Sequence, residues 1–159
     1  MNVDEFDFDG LGITVVIPLY NKEATICRAV KSVLSQLDNK DHVIVIDDGS
    51  TDHGADIVRR IYDPRINLIS QKNQGVSAAR NRGIEAAETE HVAFLDADDW
   101  WSSGVVAQFK RMIILYPECV LYCIGHVRST SGLCSERWSE LPLDNGENLD
   151  GTKFIRAYA

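Results

Sequence analysis

The apolar positions of this chain change period at regular intervals. Ile13-Thr14-Val15-Val16-Ile17 is a solid β-branched run closed by Pro18, the pattern of a buried strand. From Ala24 to Leu37 the spacing shifts, and Ile26, Ala29, Val30, Val33, Leu34 and Leu37 fall on one face of a helix. His42 to Ile46 is a second solid run. A helix capped by Thr51 or Asp52 is expected after it, reaching Tyr62 before Asp63-Pro64 breaks it. Ile66 to Ser70 predicts a short third strand. Gly75 precedes a predicted helix from Val76 to about Ala87 that turns Val76, Ala79, Gly83 and Ala87 inward. His91 to Leu95 predicts a fourth strand, Val105 to Tyr116 a helix, and Val120 to Val127 another strand. Ser129 to Asp150 is loop-rich, and Phe154 to Ala159 has the pattern of an amphipathic helix at its start.

Solid apolar strands separated by helices indicate a mostly parallel sheet covered on both faces, a three-layer α/β/α, Rossmann-like arrangement. Ligands in such sheets bind beyond the carboxyl ends of the strands. The polar clusters of this chain sit there: Tyr20 to Glu23 after the first strand, Asp47 to Ser50 after the second, Gln71 to Arg80 after the third and Asp96 to Asp99 after the fourth. Their common rim points to one site.

The 159 residues suit one domain with one core. A net charge of −8 argues against a nucleic-acid partner, which needs a basic face. No apolar run approaches the ~20 residues that span a bilayer. The acidic start, residues 1–11, reads as a lead-in rather than a secretory signal. Cys27, Cys119, Cys123 and Cys134 form no CxxC pair and are expected as reduced thiols, which suits a cytoplasmic location.

The last rim cluster carries the most chemistry. Phe94-Leu95-Asp96-Ala97-Asp98-Asp99 drives a buried strand into three carboxylates. Carboxylates this close repel unless a cation or hydrogen-bond donors neutralise them. Hard divalent cations, Mn²⁺ or Mg²⁺, accept such oxygens and complete their shell with phosphates. Asp47 or Asp48 could accept hydrogen bonds from a base or a ribose, with Ser50 and Thr51 left to turn and capping roles. Arg80 could grip a phosphate or pair with Asp47, Asp48 or Asp96.

Taken together, Thr14 to Glu23, Val45 to Asp52, Asn73-Gln74-Gly75 with Ala79 to Gly83, and Phe94 to Asp99 resemble the family 2 glycosyltransferases of GT-A fold, with four motifs in family order. The resemblance implies metal-assisted, inverting transfer of a sugar from a nucleotide-diphosphate donor, usually UDP-linked. It implies that Pro18, Tyr20 and Glu23 line the nucleoside pocket, and that Asp47 or Asp48 meets the uracil. Arg80 would approach the base or diphosphate. Asp96 and Asp98, flanking Ala97, would form the DXD pair, with Asp98 the more direct metal ligand. Asp99 and Trp100 would support the donor sugar.

On this reading residues 12–127 form the nucleotide-sugar-binding core. Residues 128–159 begin an acceptor-side region, read as truncated, whose missing cover invites self-association. The family's general base lies far downstream of the DXD pair. Glu118, Glu136, Glu140, Asp144, Glu147 and Asp150 do not match its context, so the base is expected beyond residue 159. The acceptor, whether saccharide, lipid or protein, is not legible. Polysaccharide biosynthesis is the expected setting, and the full-length protein could lie peripherally at the inner face of a membrane. The rivals are a nucleotide-sugar-binding module without turnover and a sugar nucleotidyltransferase. The latter would carry a Gly-rich loop where this chain has Pro18-Leu19-Tyr20-Asn21.

Overall fold

The computed structural model describes residues 8 and 10–124 and the strand segments 144–147 and 153–157. The chain divides into two compact units, residues 1–107 and 108–159. The first unit contains β1 (Ile13–Leu19), α1 (Ile26–Leu34), β2 (His42–Asp47), α2 (Gly54–Arg59), β3 (Ile66–Ser70), α3 (Val76–Ala86) and β4 (His91–Phe94). Its four strands are all parallel, in the order β3-β2-β1-β4. The chain winds outward through β1, β2 and β3, then returns to set β4 on the far side of β1. The order therefore reverses between β1 and β4, the place where a crevice opens in doubly wound sheets.

The solid apolar runs became the central strands because both of their faces are covered. Val16 and Ile44 are register partners and pack with Ile46 against Ala79 of α3. Val15, Ile17 and Leu19 alternate to the opposite face, where Leu19 meets the start of α2 at Gly54. There α1 buries Ile26, Ala29, Val30 and Val33 and packs on α2. Gly83 lets α3 approach β1 closely: a Cβ on it would lie 2.3 Å from Val16 Cγ1. At the amino ends of the strands, buried Asp41 accepts the Ile13 N–H at 2.9 Å. Arg65 pairs with Asp63 at 2.7 Å and donates to the carbonyls of Leu34 and Leu37, tying the end of α1 to the β3 side.

The structure departs from the sequence pattern in several places. Pro18 does not close β1; the strand runs through it to Leu19, pairing Pro18 with Ile46. Val16 turns its carbonyl to β4 and accepts the Leu95 N–H at 3.1 Å, so Pro18, two residues on, faces the same side. With no N–H to offer, Pro18 cannot extend that ladder, and the sheet opens there. The helix expected up to Tyr62 spans only Gly54–Arg59. Val76, expected inward, is half exposed because it stands in the first turn of α3, above the core.

The second unit holds most of α4 (Val105–Leu115) and the strands β5 (Leu121–Ile124), β6 (Asp144–Glu147) and β7 (Lys153–Ala157), in the order β5-β7-β6. Met112 and Cys119 are buried with Phe109, Tyr116 and Tyr122 packed around them. Residues 153–157 are a strand, where the sequence pattern suggested a helix start. β7 pairs parallel with β5 and antiparallel with β6, so both of its sides gain ladder hydrogen bonds that a five-residue apolar pattern cannot foretell. Cys134 and nearly all of the segment expected to be loop-rich lie outside the described residues, except that 144–147 is a strand.

Candidate functional site

The opening beside Pro18 is a cleft of about 540 Å³ at the carboxyl ends of β1 and β4. Pro18, Leu19 and Tyr20 form one wall, and Asp96, Ala97 and Asp98 another. The start of α3 and the loop before it, through Asn73, Gly75, Val76 and Arg80, complete it with Asp48 and Lys22. Both Tyr20 and Ala97 line the cleft, the first half exposed and the second buried.

Two loop seams fix this rim. Asp48 is 3% exposed, and its carboxylate accepts Gln71 Nε2 at 2.8 Å, the Gln74 N–H at 2.9 Å and the Gly75 N–H at 2.8 Å. One buried charge thus holds the whole 71–75 loop against β2. Gly75 adopts φ +88°, a left-handed conformation that side chains rarely take. Asp47 accepts the Ser50 N–H at 3.0 Å and the Ser70 hydroxyl at 3.3 Å, and it lies behind the cleft lining. The second seam joins the β1–α1 and β2–α2 loops. Asn21 Oδ1 accepts the Thr51 N–H at 2.8 Å, and Ser50 Oγ accepts the Asn21 N–H at 3.2 Å. Glu23 accepts the His53 N–H at 2.9 Å, while its own N–H donates to Asp52 at 2.8 Å. Glu23 therefore stands in the seam, outside the cleft lining.

The acidic turn is held by basic side chains. Arg80 Nη2 lies 2.6 Å from Asp96, the partner among those the sequence left open. Its Nε is buried and makes no hydrogen bond, so the guanidinium is only partly engaged. Lys22 Nζ lies 2.7 Å from Asp98 Oδ2. The Lys22 hydrogen bond holds the Asp98 carboxyl below its ordinary value, and the same bond holds the Lys22 ammonium above its own. Arg28 donates to the Asp98 carbonyl at 2.9 Å, with its guanidinium 4.1 Å above the Trp100 ring. Asp99 is exposed, closes the turn through its N–H to the Asp96 carbonyl at 3.0 Å, and lies outside the cleft lining.

Sequence reading brought Pro18, Tyr20, Asp48, Arg80, Asp96, Ala97 and Asp98 to the cleft, and the structure gathers them there. It gave no individual role to Lys22, Arg28 or Asn21. Lys22 had a usable signal, since three adjacent carboxylates need cations and few basic residues fall on the rim. Among the described residues no group of three or more His, Cys, Asp or Glu side chains forms a metal cage. Two rim carboxylates, Asp96 and Asp98, suit a cation that takes one or two protein oxygens and completes its shell from phosphates.

The chain resembles known proteins over most of its length. It is 42% identical over 151 residues to the uncharacterized glycosyltransferase YibD of Escherichia coli K12, covering 91% of this chain and 43% of that protein. The structure of Staphylococcus aureus TarS 1–349 in complex with UDP-GlcNAc superposes with a TM-score of 0.69 at 25% identity, covering 90% of this chain and 44% of that one. The mannosyltransferase PcManGT of Pyrobaculum calidifontis, solved with GDP-Man and Mn²⁺, gives a TM-score of 0.59 at 28% identity, covering 63% of this chain and 32% of that one. The chain spans less than half the length of each of these relatives. The family model described as glycosyl transferase family 2 matches residues 14–156. With the α/β architecture and its rim site in place, this chain belongs to glycosyl transferase family 2.

Proposed function

We propose that the cleft binds a UDP-linked sugar together with Mn²⁺ or Mg²⁺, as the donor half of an inverting glycosyltransferase. The observation that carries this reading is the pair Asp96 and Asp98, each neutralised by a basic side chain, at the strand-order reversal of the sheet. Asp98, with Asp96 beside it, would hold the cation, which supplies stabilisation of the negative charge on the leaving diphosphate. Arg80 lines the same cleft and offers a second positive group to that charge. Tyr20 and Pro18 bound the space for the nucleoside, and Asp48 orders the loop that forms its far wall. Glu23 and Asp47 act one layer back by fixing the loops, and Asp99 by closing the acidic turn.

The relatives' names support the donor class. TarS was solved with UDP-GlcNAc and PcManGT with GDP-Man and Mn²⁺. No helix among the described residues is long and apolar enough to cross a membrane. The free thiol of Cys27 suits the cytoplasmic placement we propose. The acceptor and its general base are assigned to none of the residues described. Calorimetric titration of UDP with and without Mn²⁺ tests the reading. Mn²⁺-dependent binding that an Asp98→Asn variant loses supports it. Tighter binding of GDP or dTDP than UDP would replace uracil as the base, and absence of binding by all three to folded protein would reject the reading.

A further inference from the structure

The acidic turn already holds a cation of its own. Lys22 Nζ sits on Asp98 Oδ2 at 2.7 Å, and Asp98 is its one hydrogen-bond acceptor among the described residues. The backbone around it is fixed: the Lys22 carbonyl accepts the Thr25 and Ile26 N–H groups at 3.1 and 3.0 Å. The Asp98 backbone is held too, by Arg28 on its carbonyl. The two side chains themselves are 43% and 50% exposed. An ion pair this exposed is weak and opens without disturbing the fold. A divalent cation on the Asp98 carboxylate would meet the Lys22 ammonium at contact distance and be repelled by it. Asp96, the other carboxylate that attracts Lys22, is engaged by Arg80.

We propose that Lys22 is a resident counter-cation of the Asp98 site. It keeps a free divalent cation off Asp98 in the empty protein and yields the carboxylate when a diphosphate enters the cleft and takes its ammonium. The inference rests on the donor reading above and adds a coupling to it. Metal alone must drive Lys22 into solvent, whereas metal with a diphosphate gives the ammonium a new anionic partner in the cleft that Lys22 already lines. Each ligand then strengthens the other by the same factor, and Lys22 carries part of that factor. The protein thereby takes up the cation chiefly with its nucleotide, not before it.

The test measures Mn²⁺ affinity from the electron paramagnetic resonance signal of free Mn²⁺, with and without UDP. The proteins are the full chain, Lys22→Met, Lys22→Arg and Lys22→Met/Asp98→Asn. Mn²⁺ alone is expected to bind Lys22→Met about three- to tenfold more tightly than the unaltered chain. The gain should vanish in the double variant, and Lys22→Arg should keep the original affinity. The factor by which UDP tightens Mn²⁺ binding should fall in Lys22→Met. Equal Mn²⁺ affinities for the unaltered chain and Lys22→Met, with UDP still tightening Mn²⁺ in the former, would overturn the role of Lys22 and leave the donor reading intact. UDP without effect on Mn²⁺ in the unaltered chain would overturn both.

Discussion

Replacing Asp48 by asparagine removes one negative charge from a buried place and reverses the sense of half its hydrogen bonding. The carboxylate accepts three donors, Gln71 Nε2, the Gln74 N–H and the Gly75 N–H, all within 2.9 Å. An amide has one oxygen. Set toward Gln71 and Gln74, it leaves its NH₂ facing the Gly75 N–H; set toward Gly75, it opposes the other two. At least one hydrogen bond to a charged acceptor is lost, worth about 1.5–3 kcal/mol, and a buried donor is left unsatisfied. The expected loss is about 2–4 kcal/mol, a large share of the roughly 5–15 kcal/mol that holds an ordinary domain folded. Urea unfolding at unchanged m-value measures it. Hydrogen exchange at Gln74 and Gly75 shows whether the loop lets go before the sheet does. A loss below about 0.5 kcal/mol, with both amides still protected, would refute the view that Asp48 holds the 71–75 loop. UDP binding should weaken in the same variant, because Asn73 and Gly75 line the cleft.

Gly83→Ala should destabilise the chain by about 1–3 kcal/mol through overpacking against Val16, read as a lower urea midpoint; an unchanged midpoint would mean that α3 does not press on β1 there. The ion pair of Asp63 with Arg65 predicts a pH signature. Hydrogen bonds from Arg65 lower the Asp63 carboxyl from 3.8 to about 2. A lowered carboxyl stabilises the fold above its unfolded value, and the contribution disappears as pH falls through the folded one. The stability gap between the unaltered chain and Asp63→Asn should therefore hold from neutrality down to pH 3.8 and close between there and about pH 2, followed by thermal unfolding. A gap that widens in acid would contradict the assignment.

The sheet was legible in the sequence because β1 and β2 are buried on both faces, which forces solid runs such as Val15-Val16-Ile17 and Val43 to Ile46. The rim was legible because the loops beyond the sheet do not share that composition, so Asp48, Arg80, Asp96 and Asp98 stand out after the strands. Partners across loops were not legible. Nothing in the local pattern says that Asn21 reaches Thr51, that Glu23 reaches His53, or that Lys22 crosses 76 positions to Asp98. Those pairings exist because the parallel order of β1, β2 and β4 brings their carboxyl ends together, a tertiary fact. Pro18 misled for a related reason. Proline usually ends a strand, but here β1 needs no N–H on the side where the sheet has parted from β4. The strand at Lys153–Ala157 was missed because five residues are too few for a period to show, and one of its two ladder partners, β5, lies far away in sequence.

The central claim is that Asp98 holds a divalent cation that binds a nucleoside diphosphate in the cleft beside β1 and β4. Crystals grown with UDP and Mn²⁺ test it through the anomalous scattering of manganese. The account predicts one strong peak within coordinating distance of an Asp98 carboxylate oxygen, with Lys22 swung off that carboxylate and the diphosphate on the metal. Well-defined UDP in the cleft with no manganese at Asp98, or manganese bound elsewhere, would contradict it.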